Sequence, residues 1–245
     1  MFDSGFGGLT VARAVMDLLP GHPLVYLGDT ARYPYGPRPL DEVSGFAHQI
    51  ARYLVEEHGA GALVVACNTA AAAALHSLRD EFEVPVLGVI EPGVRAAARA
   101  TDSGRVGVIG TRSFAADAPQ VELTSVSCPG FVEFVEKGEF DSHQLRVLAE
   151  RLLQPLLDAE VDTLLLGCTH YPYLARTLTA VMGRDVVLVS SADETAFELR
   201  DLLGPGDSAE SVAEFHTTGD INWFRILGSQ LLGPELDHAD SVTLT

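Results

Sequence analysis

The chain of 245 residues is 47% hydrophobic and 20% charged, enough apolar material for one large or two small packed domains and too much for a disordered chain. Its 34 acidic side chains against 16 basic ones give a formal charge of -18, which repels polyanions, so nucleic acid is not an expected partner. No apolar run approaches the roughly 20 residues of a membrane span, and Met1 leads into Phe2-Asp3-Ser4 without a basic or apolar leader; the expectation is a cytoplasmic protein with no membrane association.

In chain order, residues 9–19 read as a helix, 24–27 as a strand, 41–57 as a helix, 63–66 as a strand, 70–81 as a helix and 86–90 as a strand. After Pro92 the series restarts, with strands at 106–109 and 121–126, a helix at 142–158, a strand at 164–166, a helix at 173–181 and a strand at 186–189. Residues 204–208 read as a Gly/Pro linker; a strand at 212–217 and a helix at 221–232 follow and can return to pack on the first half. The alternation predicts the α/β class, with mainly parallel sheets covered by helices in two pseudo-symmetric three-layer domains. The expected division is residues 1–92 plus 209–245 against 93–208, with the site in the cleft between them.

The two halves overlay in chemistry as well as position. Val65-Ala66-Cys67-Asn68-Thr69 faces Leu166-Gly167-Cys168-Thr169-His170, Thr30 faces Cys128, and Asp3 faces Gly110 or Thr111. The overlay breaks at two places. Only Met1 and Phe2 precede Asp3, and the stretch between Thr111 and Val121 is too short for the helix that the first half carries there.

Lys137 is the only lysine, which argues against pyridoxal phosphate chemistry, and three cysteines without a secretory leader argue for free thiols. Ligands of parallel sheets bind beyond the carboxyl ends of strands, where Cys67 and Cys168 both fall with a helix expected behind each. Backbone N–H groups at a helix start make a thiol more acidic than the roughly 8.5 of free cysteine. Asn68, Thr69, Thr169 and His170 offer donors to a bound carboxylate. Competing readings are two buried small residues, a zinc site using Cys67, Cys168 and His170, a disulfide, or one thiol nucleophile with His170 as its base.

Asp3-Ser4-Gly5-Phe6-Gly7-Gly8 supplies a carboxylate, a hydroxyl and a glycine-rich turn, without the lysine of a P-loop. Gly28-Asp29-Thr30-Ala31-Arg32-Tyr33-Pro34-Tyr35-Gly36 reads either as a pocket-closing loop or as a rigid surface turn. Cys128 reads as structural, and Glu133, Glu136, Asp193 and Glu194 as solvated surface charge. Two thiols facing opposite sides of a carbon acid form a two-base device: one removes a proton, the other returns one from the far face, and the product is the mirror image.

These motifs, above all Leu166-Gly167-Cys168-Thr169-His170-Tyr171-Pro172 together with Gly28-Asp29-Thr30 and Pro34-Tyr35-Gly36, make the chain resemble the glutamate racemases of the cofactor-independent aspartate/glutamate racemase superfamily over nearly its whole length. The resemblance implies interconversion of L- and D-glutamate without a cofactor or a metal, with Cys67 deprotonating the D enantiomer, Cys168 the L enantiomer, Asp3 assisting Cys67 and His170 assisting Cys168. It also implies substrate binding by Asp3, Ser4, Tyr35, Gly36, Asn68, Thr69, Thr169 and His170, an auxiliary acidic residue at Glu136, a homodimer, and supply of D-glutamate to peptidoglycan. A related aspartate racemase and an amino-acid-binding homologue without turnover are the alternatives.

Overall fold

The computed structural model describes residues 1–110, 121–204, 206 and 212–244. The short connection singled out after Gly110 and most of the expected linker at 204–208 lie outside the described residues. The elements of the first half are β1 (Phe2–Asp3), α1 (Leu9–Leu18), β2 (Leu24–Gly28), α2 (Leu40–Glu56), β3 (Leu63–Val65), α3 (Asn68–Glu81), β4 (Val86–Gly88) and α4 (Ile90–Ala100). The second set begins with β5 (Arg105–Gly110), β6 (Glu122–Ser127), α5 (Phe131–Glu136), α6 (His143–Asp158) and β7 (Thr163–Gly167). It continues through α7 (Ala175–Met182), β8 (Val187–Ser190) and α8 (Ser191–Leu203) to β9 (Ala213–Thr217), α9 (Ile221–Leu231) and β10 (Asp240–Ser241).

Two sheets result, ordered β10-β9-β2-β1-β3-β4 and β6-β5-β7-β8, and every ladder among the described residues is parallel. The order β2-β1-β3-β4 repeats as β6-β5-β7-β8, so the duplication read in the sequence is present in the topology. Register sharpens the overlay. Phe2 pairs with Leu27 and Val65 where Ile109 pairs with Val126 and Leu166; Cys67 and Cys168 therefore occupy matching positions, and Asp3 matches Gly110. The same register sets Cys128 against Asp29, one residue from the Thr30 expected. β1 is only two residues long, yet it pairs on both sides.

Strands buried on both faces explain the continuous apolar runs. Tyr26, Val64 and Ala66 point to one layer with α1, α8 and α9, while Leu27, Leu63 and Val65 point to the opposite layer with α2 and α3. In the second sheet Ile109, Leu164 and Leu166 meet α5, α6 and α7, and Val106, Val108 and Leu165 meet Ala97 of α4. Three helices escaped the sequence reading. In α4 the apparent boundary residue Pro92 sits in the first turn, where proline leaves no helical hydrogen bond unmade. In α8 the Ser190 hydroxyl accepts from the Ala192 N–H, and Asp193 and Glu194 occupy the first turn, a helix-start signal rather than idle surface charge. The third, α5, is a six-residue helix, short for a periodicity reading. Among the described residues no helix is long and apolar enough to cross a membrane.

The C-terminal segment closes the first half. β9 pairs with β2 along its length, and α9 brings Trp223 and Phe224 to within 4.7 Å and 5.4 Å, centroid to centroid, of Phe6 in the glycine-rich turn. Gly28 leaves room for this contact, since a Cβ there would lie 2.7 Å from the Phe224 ring. Phe224→Ala is expected to cost about 3–5 kcal/mol in urea unfolding. A loss below about 1 kcal/mol would show that α9 is not part of this core.

Candidate active site

Two strand ends, each carrying a thiol, open on one small cleft lined by Asp3, Ser4, Cys67 and Asn68 from one side and by Cys168, Thr169 and His170 from the other. Tyr33, Tyr35 and Gly36 of the loop after β2 also line it, so this loop is a wall of the site and not a bystander turn. The space between them is about 30 Å³, room for one or two waters.

The glycine-rich turn is held from within. Gly5 N–H donates to Asp3 Oδ1 at 2.8 Å, and the Tyr26 hydroxyl donates to the Gly5 carbonyl at 3.0 Å. The two halves then meet through this turn: Thr169 Oγ1 donates to Asp3 Oδ2 at 3.3 Å, and Thr10 Oγ1 donates to the Thr169 carbonyl at 3.2 Å. Gly7 makes the approach possible, because a Cβ there would sit 2.4 Å from both His170 Nδ1 and Thr169 Oγ1. The loop wall is fixed through Asp29, fully buried, which accepts hydrogen bonds from the Tyr35 hydroxyl, from Arg32 Nε at 2.7 Å and from Thr218 Oγ1 at 2.6 Å.

Cys67 is the residue immediately before α3, which begins at Asn68. Its sulfur lies 3.8 Å from Ser4 Oγ. The helix start does not make this thiol acidic as expected. Burial, followed by the charge of Asp3, pushes it up to about 12, and the Ala70 N–H and Ser4 recover only part of that. Burial likewise raises the Asp3 carboxyl above its ordinary range, against the opposing pull of His170 and of the Gly5 and Gly8 N–H groups.

The second thiol has a different setting. No α-helix starts directly behind Cys168; Thr169 and His170 lead into a 3-10 turn over Tyr171–Leu174, and α7 begins only at Ala175. Cys168 Sγ lies 3.8 Å from His170 Nδ1, and His170 Nε2 lies 3.1 Å from Glu136 Oε1. Glu136, read from sequence as solvated, has a side chain only 9% exposed. Burial disfavours a charge on His170, but the contacts with Cys168 and Glu136 and the charge of Asp3 outweigh it and raise its pKa to about 10. The Tyr33 ring lies tilted beside the imidazole at 6.3 Å between centroids, a contact that nothing in the sequence spacing signalled.

All three cysteines are free. Cys67, Cys168 and His170 do not gather their ligand atoms into a metal-binding trio among the described residues. Cys128 lines an adjoining cavity of about 170 Å³ with Pro34, Gly36, Val132 and Tyr171, outside the thiol cleft.

Paired parallel sheets that set one thiol from each half on a shared cleft define an α/β protein with a small-molecule-sized site between its two sheets. A family profile described as Asp/Glu/Hydantoin racemase matches residues 10–198, and the chain belongs to that family. It is 46% identical to a glutamate racemase of Acidothermus cellulolyticus over 258 aligned positions covering 99% of this chain and 97% of that one. Among solved structures it superposes on a glutamate racemase isoform of Bacillus anthracis with a TM-score of 0.92 at 38% identity, covering 99% of this chain and 96% of the other. The glutamate racemase of Francisella tularensis, solved in complex with D-glutamate, matches with a TM-score of 0.88 at 30% identity over 99% and 96% of the two chains.

His170 holds its proton to about 10 in the fold against an ordinary 6.5, so the native state binds a proton that the unfolded chain releases between those values. Its stabilising contribution is complete below about 6.5 and is lost as pH rises through about 10. Equilibrium unfolding of wild type and His170→Gln across this range should therefore show a stability difference that shrinks with rising pH. A pH-independent difference would contradict a buried imidazolium.

Proposed function

We propose that the protein interconverts L- and D-glutamate by a two-thiol mechanism without a cofactor, Cys67 and Cys168 serving opposite faces of the α carbon. The observation that carries this reading is the pair of register-matched thiols on one cleft. The names of relatives at 46% and 38% identity, and the D-glutamate bound to another, support glutamate as the substrate. Asn68 Oδ1, buried in the cleft without a hydrogen-bond partner, is a suitable acceptor for an α-ammonium group.

The protonation pattern suits the L enantiomer in the resting enzyme. Cys67, pushed up to about 12, holds a proton at neutral pH, and the His170 imidazolium stands 3.8 Å from the sulfur of Cys168. In this mechanism Cys168 takes the α proton of L-glutamate while Cys67 delivers its own to the other face. The reverse direction needs the Cys67 proton removed, and Asp3, whose charge reaches Cys67, is the group placed to take it. With no electron sink, the carbanion is stabilised by donors around the substrate carboxylate and by exclusion of water. A cleft of about 30 Å³ must widen to admit an amino acid; the two domains are taken as residues 1–92 with 209–245 and 93–208, with α8 of the latter packed into the core of the first sheet. The proposal extends, as the family resemblance implies, to a cytoplasmic homodimer supplying D-glutamate for peptidoglycan.

Chiral analysis of product formed from L-glutamate and from L-aspartate tests the assignment. Wild type should turn over glutamate in preference, and Cys67→Ser and Cys168→Ser should each lose at least about a hundredfold in rate, the scale of an acid–base group. Normal racemisation by either variant would exclude the two-thiol mechanism, preferred turnover of aspartate would reassign the substrate, and binding without turnover would leave only an amino-acid-binding role.

A further inference from the structure

We propose that His58, Glu214 and His216 form a binding site for a divalent transition-metal ion of the zinc class, outside the thiol cleft. Among the described residues this is the trio of His, Cys, Asp or Glu side chains whose ligand atoms gather closely enough, all within 4.8 Å of one another. The sequence conceals it, because His58 follows the end of α2 while the other two residues lie on β9. Glu214 and His216 alternate along the strand, so both project to the face covered by α2.

The geometry is close to that of a three-ligand site. Glu214 Oε2 lies 3.8 Å from His58 Nδ1 and 3.8 Å from His216 Nε2. Ligands around a tetrahedral zinc stand about 3.4 Å apart at the usual bond lengths, so the carboxylate is a few tenths of an ångström too far from each imidazole. Rotation of the Glu214 side chain, 55% exposed, can close that gap, and the imidazole nitrogens, which lie within 4.8 Å of one another, draw in around the ion. The two imidazoles are neighbours, edge to face, with ring centroids 4.8 Å apart at an interplanar angle of 65°.

Two observations independent of this proximity point to a bound ion. His216 is 6% exposed, yet neither of its ring nitrogens has a hydrogen-bond partner, an unfavourable state for a buried imidazole that a metal bond would relieve. His58 has its outer nitrogen occupied: Nε2 lies 2.9 Å from the Tyr53 hydroxyl, which leaves Nδ1 for the ion, the arrangement that orients metal-binding histidines. Asp240, in register with His216 on the neighbouring strand, adds negative charge beside the site. Two imidazoles and a carboxylate suit zinc, nickel or copper better than magnesium or calcium, and three protein ligands leave a position for water. His58 and Glu214 also border a cavity of about 400 Å³ through which an ion can enter. A bound ion would fasten β9, and with it the C-terminal segment, to the end of α2.

Calorimetric titration with Zn²⁺ after removal of metal by chelation tests the proposal, using the full chain carrying Cys67→Ser and Cys168→Ser so that thiols of the cleft cannot report. One Zn²⁺ should bind per chain. Glu214→Gln and His58→Gln, each added to that background, should weaken it about tenfold or more, and Tyr53→Phe should weaken it at unchanged stoichiometry. Co²⁺ substituted for Zn²⁺ should give visible absorption bands of nitrogen and oxygen ligation that Glu214→Gln alters while circular dichroism stays constant. Absence of stoichiometric uptake in the chain lacking both cleft thiols, or uptake in Glu214→Gln and His58→Gln equal to that of this background, would overturn the site.

Discussion

Among the described residues lining the thiol cleft, His170 is the only cationic side chain; it touches Cys168 and Glu136, and the charge of Asp3 reaches it. Each acidic group in this buried space would be costly alone, and the imidazolium compensates several of them at once. That compensation requires the two halves to close on each other. The glycine at position 7 lets the imidazole reach the first strand end, and the hydrogen bonds of Thr169 to Asp3 and of Thr10 to Thr169 hold it there.

The duplicated topology therefore does not yield equivalent thiols. Register makes Cys67 and Cys168 counterparts, but one is surrounded by buried acid and helix start and the other by an imidazolium. Symmetry at the level of the sheet places two thiols at matching strand ends on one space. Asymmetry at the level of side chains gives each thiol its own charged neighbour, Asp3 for Cys67 and His170 for Cys168. A reaction whose two directions are mirror images needs the former, and a defined resting state needs the latter.

Much of this was legible in the sequence, where apolar runs alternating with helical periodicity marked the α/β class and the Cys-Asn-Thr and Cys-Thr-His repeats marked the strand ends. The parts that were not have identifiable physical causes. A proline two residues inside α4 imitates a boundary, and the acids opening α8 resemble ordinary surface charge until Ser190 is recognised as a cap. The acidity expected of a thiol at a helix start depends on solvent access, and Cys67 is buried, so desolvation exceeds the pull of the backbone. Glu136 and Tyr33 are separated from His170 by long stretches of chain, and only the folded arrangement sets one against its ring nitrogen and the other beside its ring.

Two thiols working from opposite faces leave a signature in the timing of isotope incorporation. In deuterated water, early conversion of L-glutamate should place deuterium at the α carbon of the D product while the remaining L substrate stays unlabelled, because the thiol that removed the proton is not the one that donates. Equal early labelling of both enantiomers would show a single group serving both faces and would contradict the two-thiol account.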